Sequence, residues 1–158
     1  MKRLFNILII FLLLNCHNAK EKYIDPTGTY DLDNTTKDLN GDTIGYFGQI
    51  QVKNLSKDKI LMTFFICIGP PSYNSGSFID TLNYRNNMAI YKGDIEIMDT
   101  SCTITFLFTK DSVVVDEKTN NYNCGCGFGH GVVACETFKK TSPKTPVLID
   151  PREQDTIY

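Results

Sequence analysis

Three thiols and an imidazole fall within one short stretch of this chain: Cys124, Cys126, His130 and Cys135. Thiolate and imidazole are the ligand types that hold zinc or copper. The intervening Gly125, Gly127, Gly129 and Gly131 would let the backbone turn tightly about an ion. The spacing, C-x-C-x3-H-x4-C, is not one of the usual zinc patterns. The same thiols can instead be oxidised to disulfides, and the compartment decides between the two fates. Nucleophilic catalysis is poorly provided for. The histidines are His17 and His130, so a Ser-His-Asp or Cys-His arrangement would have to use His130. No Gly-x-Ser-x-Gly elbow or phosphate-cradling loop accompanies it. Gly125, Gly127 and Gly129 lack the following helix and acidic residue of a dinucleotide site, and read as a tight turn or bulge. Asp116 and Glu117 are neighbours that would point to opposite faces of a strand, and read as solvated edge charges. The expectation is a non-enzymatic protein without a cofactor.

The compartment is announced at the start of the chain. Lys2 and Arg3 precede an apolar run over residues 4–14, broken only by Asn6. That run is well short of the roughly 20 residues needed to span a bilayer as a helix, and fits the core of a cleaved export signal. It ends in Leu13-Leu14-Asn15-Cys16, which resembles the lipobox of bacterial lipoproteins, with Asn15 where that family usually carries Gly, Ala or Ser. The resemblance implies a diacylglyceryl group on the Cys16 thiol, cleavage just before it and acylation of the new amino terminus. A thiol suits that chemistry as the best ordinary nucleophile near neutral pH. Ordinary cleavage after Ala19 would place His17 at a position that wants a small residue. The expected mature protein therefore begins at Cys16, with residues 1–15 removed, and is held on a membrane by lipid. Two or three acyl chains suffice for that without help from the protein. In a two-membrane cell the outer membrane is favoured, because no Asp follows the cysteine as a retention signal.

Removing Lys2 and Arg3 takes the net charge from −2 to about −4. No stretch clusters Lys or Arg with aromatics, so nucleic acid is not an expected partner. The mature chain divides into a polar tether over 16–26, a folded body over 27–140, and a Pro-bearing polar tail over 141–158.

In the body the apolar pattern has period two. Cys102, Ile104, Phe106 and Phe108 alternate with Thr103, Thr105, Leu107 and Thr109, as in a strand with one buried face. Lys110 and Asp111 turn that strand into Val113-Val114-Val115, β-branched residues that suit a pleated surface. Strands are also predicted over 44–52 and 59–68, joined by a polar connection over 53–58. Further candidates are 28–32, 77–82, 88–91, 94–98 and 131–139. Ile60 to Ile66 is apolar on both faces and should lie deep in the sheet. No window carries a helical stripe. About eight short strands predict an all-β fold, a small antiparallel β-barrel or sandwich. The loop over 69–76, rich in Gly, Pro and Ser, is a candidate binding loop, since exposed loops carry binding residues more often than strands do.

With Cys16 lipidated, Cys67, Cys102, Cys124, Cys126 and Cys135 remain, and export favours their oxidation. A Cys124–Cys126 bridge is disfavoured, because Cβ vectors so placed on one strand diverge from disulfide geometry. Cys102 opens the clearest strand and Cys126 opens the glycine-rich segment; a bridge between them would contribute roughly 3 kcal/mol in the loop-entropy account. Cys67 is the next candidate, with Cys124 or Cys135. Sequence does not fix connectivity, so these remain alternatives.

Cys126-Gly127-Phe128-Gly129-His130-Gly131-Val132, with Ala134, Lys139 and Lys140, is similar to the closing stretch of a group of small exported bacterial proteins without an established activity. Cys135, Glu136 and Phe138 replace the Asp, Gly and Tyr of that pattern. Ser101 to Phe106 echoes the same group upstream, and the two echoes together imply one bridge, Cys102 to Cys126. The functional expectation is a lipid-anchored envelope protein whose β-domain is a binding or inhibitory module for an envelope protein or ligand. The alternatives are a metal-binding or redox protein using Cys124, Cys126, His130 and Cys135, and a structural envelope component.

Overall fold

The computed structural model describes residues 22–93, 102–120 and 125–149. Its strands are β1 (Gly28–Asp33), β2 (Thr36–Lys37), β3 (Thr43–Ile44), β4 (Phe47–Ser56), β5 (Lys59–Cys67), β6 (Ser75–Arg85), β7 (Met88–Lys92), β8 (Cys102–Phe108), β9 (Ser112–Thr119) and β10 (Thr137–Ser142). Eight of them close an antiparallel barrel in the order β1-β10-β9-β8-β7-β6-β5-β4, while β2 and β3 form a separate hairpin. The expected all-β barrel is therefore the observed fold. Among the described residues no helix is long and apolar enough to cross a membrane.

Period-two patterning builds the wall. In β8 the inward residues are Cys102, Ile104, Phe106 and Phe108, with Leu107 outward. β5, apolar on both faces, lies between β4 and β6 in nine-residue ladders. The lumen is filled by side chains, as the narrow bore of an eight-stranded barrel allows. Phe64 sits at its centre, with ring centroids of Phe78, Phe106, Phe138 and Phe128 at 5.4, 5.6, 5.9 and 6.0 Å. Nearer one end, Phe108 meets Tyr30 and Tyr84 edge-on at 5.8 and 5.6 Å.

Several boundaries differ from expectation. The connection over 53–58 shrinks to the turn at Lys57 and Asp58, because Asn54 and Ser56 keep pairing with Ile60 and Lys59 through a bulge; polarity there marks exposure, not a break in the ladder. The expected strand over 131–139 starts only at Thr137. Val132 and Ala134 are buried with strand-like alternation, but among the described residues that stretch has no ladder partner of its own. At the other end β10 runs two residues past Lys140 to Ser142, beside Thr29. The strand expected over 94–98 lies outside the described residues.

Residues 22–26, expected as tether, dock on the barrel. The Asn87 side chain donates to the Lys22 carbonyl at 2.9 Å and accepts from Ile24 N–H at 2.8 Å. The hydroxyls of Tyr84 and Tyr30 donate to the carbonyls of Ile24 and Pro26 at 2.7 and 2.8 Å. Burial pushes both phenols above their ordinary range, which suits hydroxyls that serve as donors.

Candidate functional site

One end of the barrel is closed by the glycine-rich segment and the loop after β5. Cys126 is bonded to Cys102, with Cα atoms 5.0 Å apart, as expected. Cys126 and Gly127 both have left-handed backbone, φ 57° and 71°, which swings Phe128 back over the lumen. There it lies on Gly76: a Cβ at that position would come within 2.2 Å of the Phe128 ring. Gly76 is thus a glycine because a ring occupies the space of its side chain. Gly129 N–H then donates to the Ser75 carbonyl at 2.9 Å, and the Asn74 amide donates to the His130 carbonyl at 2.8 Å.

This closure holds the loop over 69–76. Ile68 N–H donates to the Asn74 carbonyl at 3.1 Å, and Tyr73 N–H to the Gly69 carbonyl at 2.8 Å. The Pro70–Pro71 peptide is cis. At the tip, Tyr73 takes a left-handed φ of 52° and leaves its side chain 61% exposed. The loop is internally bonded, clamped at its base, and presents an aromatic ring to solvent.

Beside the closure lies a buried acid. Glu117, 4% exposed, follows Val113 and Val115 on the inward face of β9. Its Oε2 accepts from Ala134 N–H at 2.7 Å, and its Oε1 has no hydrogen-bond partner among the described residues. Burial pushes this carboxyl up, and the Ala134 bond offsets part of that. The reading of Glu117 as a solvated edge charge is therefore corrected; Asp116 alone is exposed. The signal was present, since Glu117 shares the parity of Val113 and Val115.

The remaining thiols do not follow expectation. Cys67 is buried and Cys135 exposed, and both are free, so the expected bridging of Cys67, to Cys135 or otherwise, is not formed. Cys16 and Cys124 lie outside the described residues. The four-ligand set is not assembled, because Cys126 is spent in its disulfide. His130 is exposed, and its backbone carbonyl is what binds Asn74. Among the described residues no three His, Cys, Asp or Glu side chains converge as a metal site.

Among the described residues β6 and β7 pair at Tyr84–Ala89 and Arg85–Met88, and a concave surface lies beside that pairing. Tyr84 N–H donates to Asp58 on the β5 side at 2.8 Å. By strand alternation, the odd-numbered backbone groups of residues 77–83 face the seam. Among the described residues no strand pairs with them, although Asp80 Oδ1 accepts from Thr81 N–H at 2.6 Å. The concavity here is lined by Leu82, Asn83, Met88 and Ile90, among others. Next to it, Met88, Leu107 and Val114 form a cross-strand apolar row on the outer wall.

Comparison with family models finds no match, nor does comparison with curated proteins or with solved structures.

Proposed function

We propose that this chain is a lipid-anchored cell-envelope protein whose barrel is a non-catalytic binding module, carried by lipid on Cys16 and, where the host has two membranes, on the outer one. Aromatic side chains fill the lumen, so binding falls to the loops and the outer wall. The observation that carries the reading is the held loop. A loop already fixed in shape loses little conformational entropy on binding, and exposed Tyr is a frequent anchor at interfaces. Tyr73 at the tip of residues 69–76 is that anchor, and its partner is an envelope protein or ligand. Pull-down from envelope extracts tests this: a partner held by the wild type should be lost with Tyr73→Ala and with a shortened loop. Equal capture by all three proteins overturns it. Mass spectrometry of the membrane-extracted product checks the anchor, and Cys16→Ser should move the protein to the soluble fraction.

A further inference from the structure

The two ends of the barrel differ in what reaches them and in charge. The turns at Lys57 and Asp58, Asn86 and Asn87, and Lys110 and Asp111 share one end. Tyr84 N–H reaches the Asp58 carbonyl at 2.8 Å, Phe108 N–H the Asn87 carbonyl at 2.8 Å, and Lys140 N–H the Asp111 carbonyl at 2.9 Å. Residues 22–26 are bonded across this same end through Asn87, Tyr84 and Tyr30. From Cys16 to Lys22 is six residues, a reach of about 20 Å even when fully extended. A lipid on Cys16 therefore keeps the turn end close to the bilayer and leaves the closed end, with residues 69–76, pointing away.

The turn end is also the basic end. Lys22, Lys57, Lys59, Arg85 and Lys110 are exposed there, with Lys140 half-buried, against Asp25, Asp58 and Asp111. Around the closed end that excess is gone: Asp33, Asp38, Asp42 and Glu136 stand against Lys37, Lys92 and Lys118 among the described residues. At the tip of the β4–β5 hairpin Leu55 is 50% exposed, and Tyr23 beside it is 44% exposed, its hydroxyl accepting from the Asn54 amide at 2.9 Å. Basic side chains around an exposed leucine and tyrosine match a headgroup layer that is anionic outside and apolar beneath.

We propose that the turn end is a membrane-docking surface, on which Lys57, Lys59, Arg85 and Lys110 rest against anionic lipid headgroups while Leu55 and Tyr23 enter the interface. This rests on the reading of Cys16 as the lipid carrier, and it adds a fixed orientation that a lipid tether alone does not supply.

The test is lysine acetylation footprinting of the full chain as processed by its host, on vesicles of phosphatidylcholine with phosphatidylglycerol, after the mass of the amino-terminal peptide has been measured. Lys57, Lys59 and Lys110 should label at least about fivefold more slowly on vesicles than in the soluble Cys16→Ser protein, while Lys37, Lys92 and Lys118 keep their rates. The protection should weaken on pure phosphatidylcholine and vanish in the triple variant Lys57→Glu, Arg85→Glu, Lys110→Glu. A lipid-bearing protein that labels alike at both ends, or is protected at Lys37 instead, overturns the docking surface and leaves the anchor standing. A product without lipid overturns the anchor. The Cys16→Ser chain then decides the surface by itself: salt-sensitive protection of the same lysines on the anionic vesicles sustains it, and no protection ends it.

Discussion

The carboxylate of Glu117 accepts the backbone N–H of Ala134 at 2.7 Å inside the barrel wall. That single bond ties β9 to the stretch that leads from the closing segment into β10. Cys135, next in sequence to Ala134, accepts at its sulfur from Glu117 N–H at 3.4 Å, so the two segments are fastened at both side chain and backbone.

The unpartnered Oε1 makes this bond pH-dependent. Burial raises the folded-state pKa of Glu117 above its ordinary 4.5. The neutral acid is thus the form that the fold favours. Its contribution is fully present below about pH 4.5 and is lost as pH rises through the raised value. Glu117→Gln keeps an acceptor for Ala134 without the charge, so it should stabilise the protein at pH 7 by on the order of 1 kcal/mol and flatten the pH dependence. Denaturant midpoints at pH 4 and pH 8 check this; a variant less stable than wild type at pH 8 would contradict it.

Gly76 and Phe128 form one unit. Gly76→Ala drives a methyl into the Phe128 ring and should cost about 2 kcal/mol. Phe128→Ala opens a void over Phe64 and should cost about 3 kcal/mol. Because the second change makes room for the first, the double variant should be less destabilised than the sum of the two, which a double-mutant cycle measures.

Reducing the Cys102–Cys126 bridge, or replacing it through Cys102→Ser, releases a crosslink between residues 24 apart in sequence. The expected loss is roughly 3 kcal/mol, read from unfolding with and without reductant. Cys67→Ser tests the free thiol separately and should leave that reductant effect unchanged.

Asn87, buried with a left-handed φ of 57°, holds residues 22–24 to the barrel. Asn87→Gly retains the backbone conformation and removes the side-chain bonds to Lys22 and Ile24. The expected cost is about 1–2 kcal/mol, with faster hydrogen exchange at the Ile24 amide and little change in β5. Unchanged exchange at Ile24 would mean that Tyr84 and Tyr30 fix the segment without Asn87.

Much of the wall was legible from one rule. Period two put Ile104, Phe106 and Phe108 on one face, the β-branched Val113-Val114-Val115 marked the next strand, and about eight such strands called for a barrel or sandwich to bury them. The bridge between Cys102 and Cys126 was within reach because each cysteine opens a segment whose pattern is clear. What escaped were the features that depend on register between distant parts. Alternation says which residues share a face but not what a charged one will meet there, so Glu117 looked like a surface acid until Ala134 was brought to it. Polarity separated β4 from β5 too widely, since an outward Asn or Ser does not interrupt a ladder. The docking of Lys22 and Ile24 on Asn87, and the placing of Phe128 over Gly76, join residues more than fifty positions apart. The sequence alone determined the alternation, the closing cysteine and the charges; the tertiary structure decided which of them meet, because closing a barrel sets every strand's stagger at once and no local pattern encodes that sum.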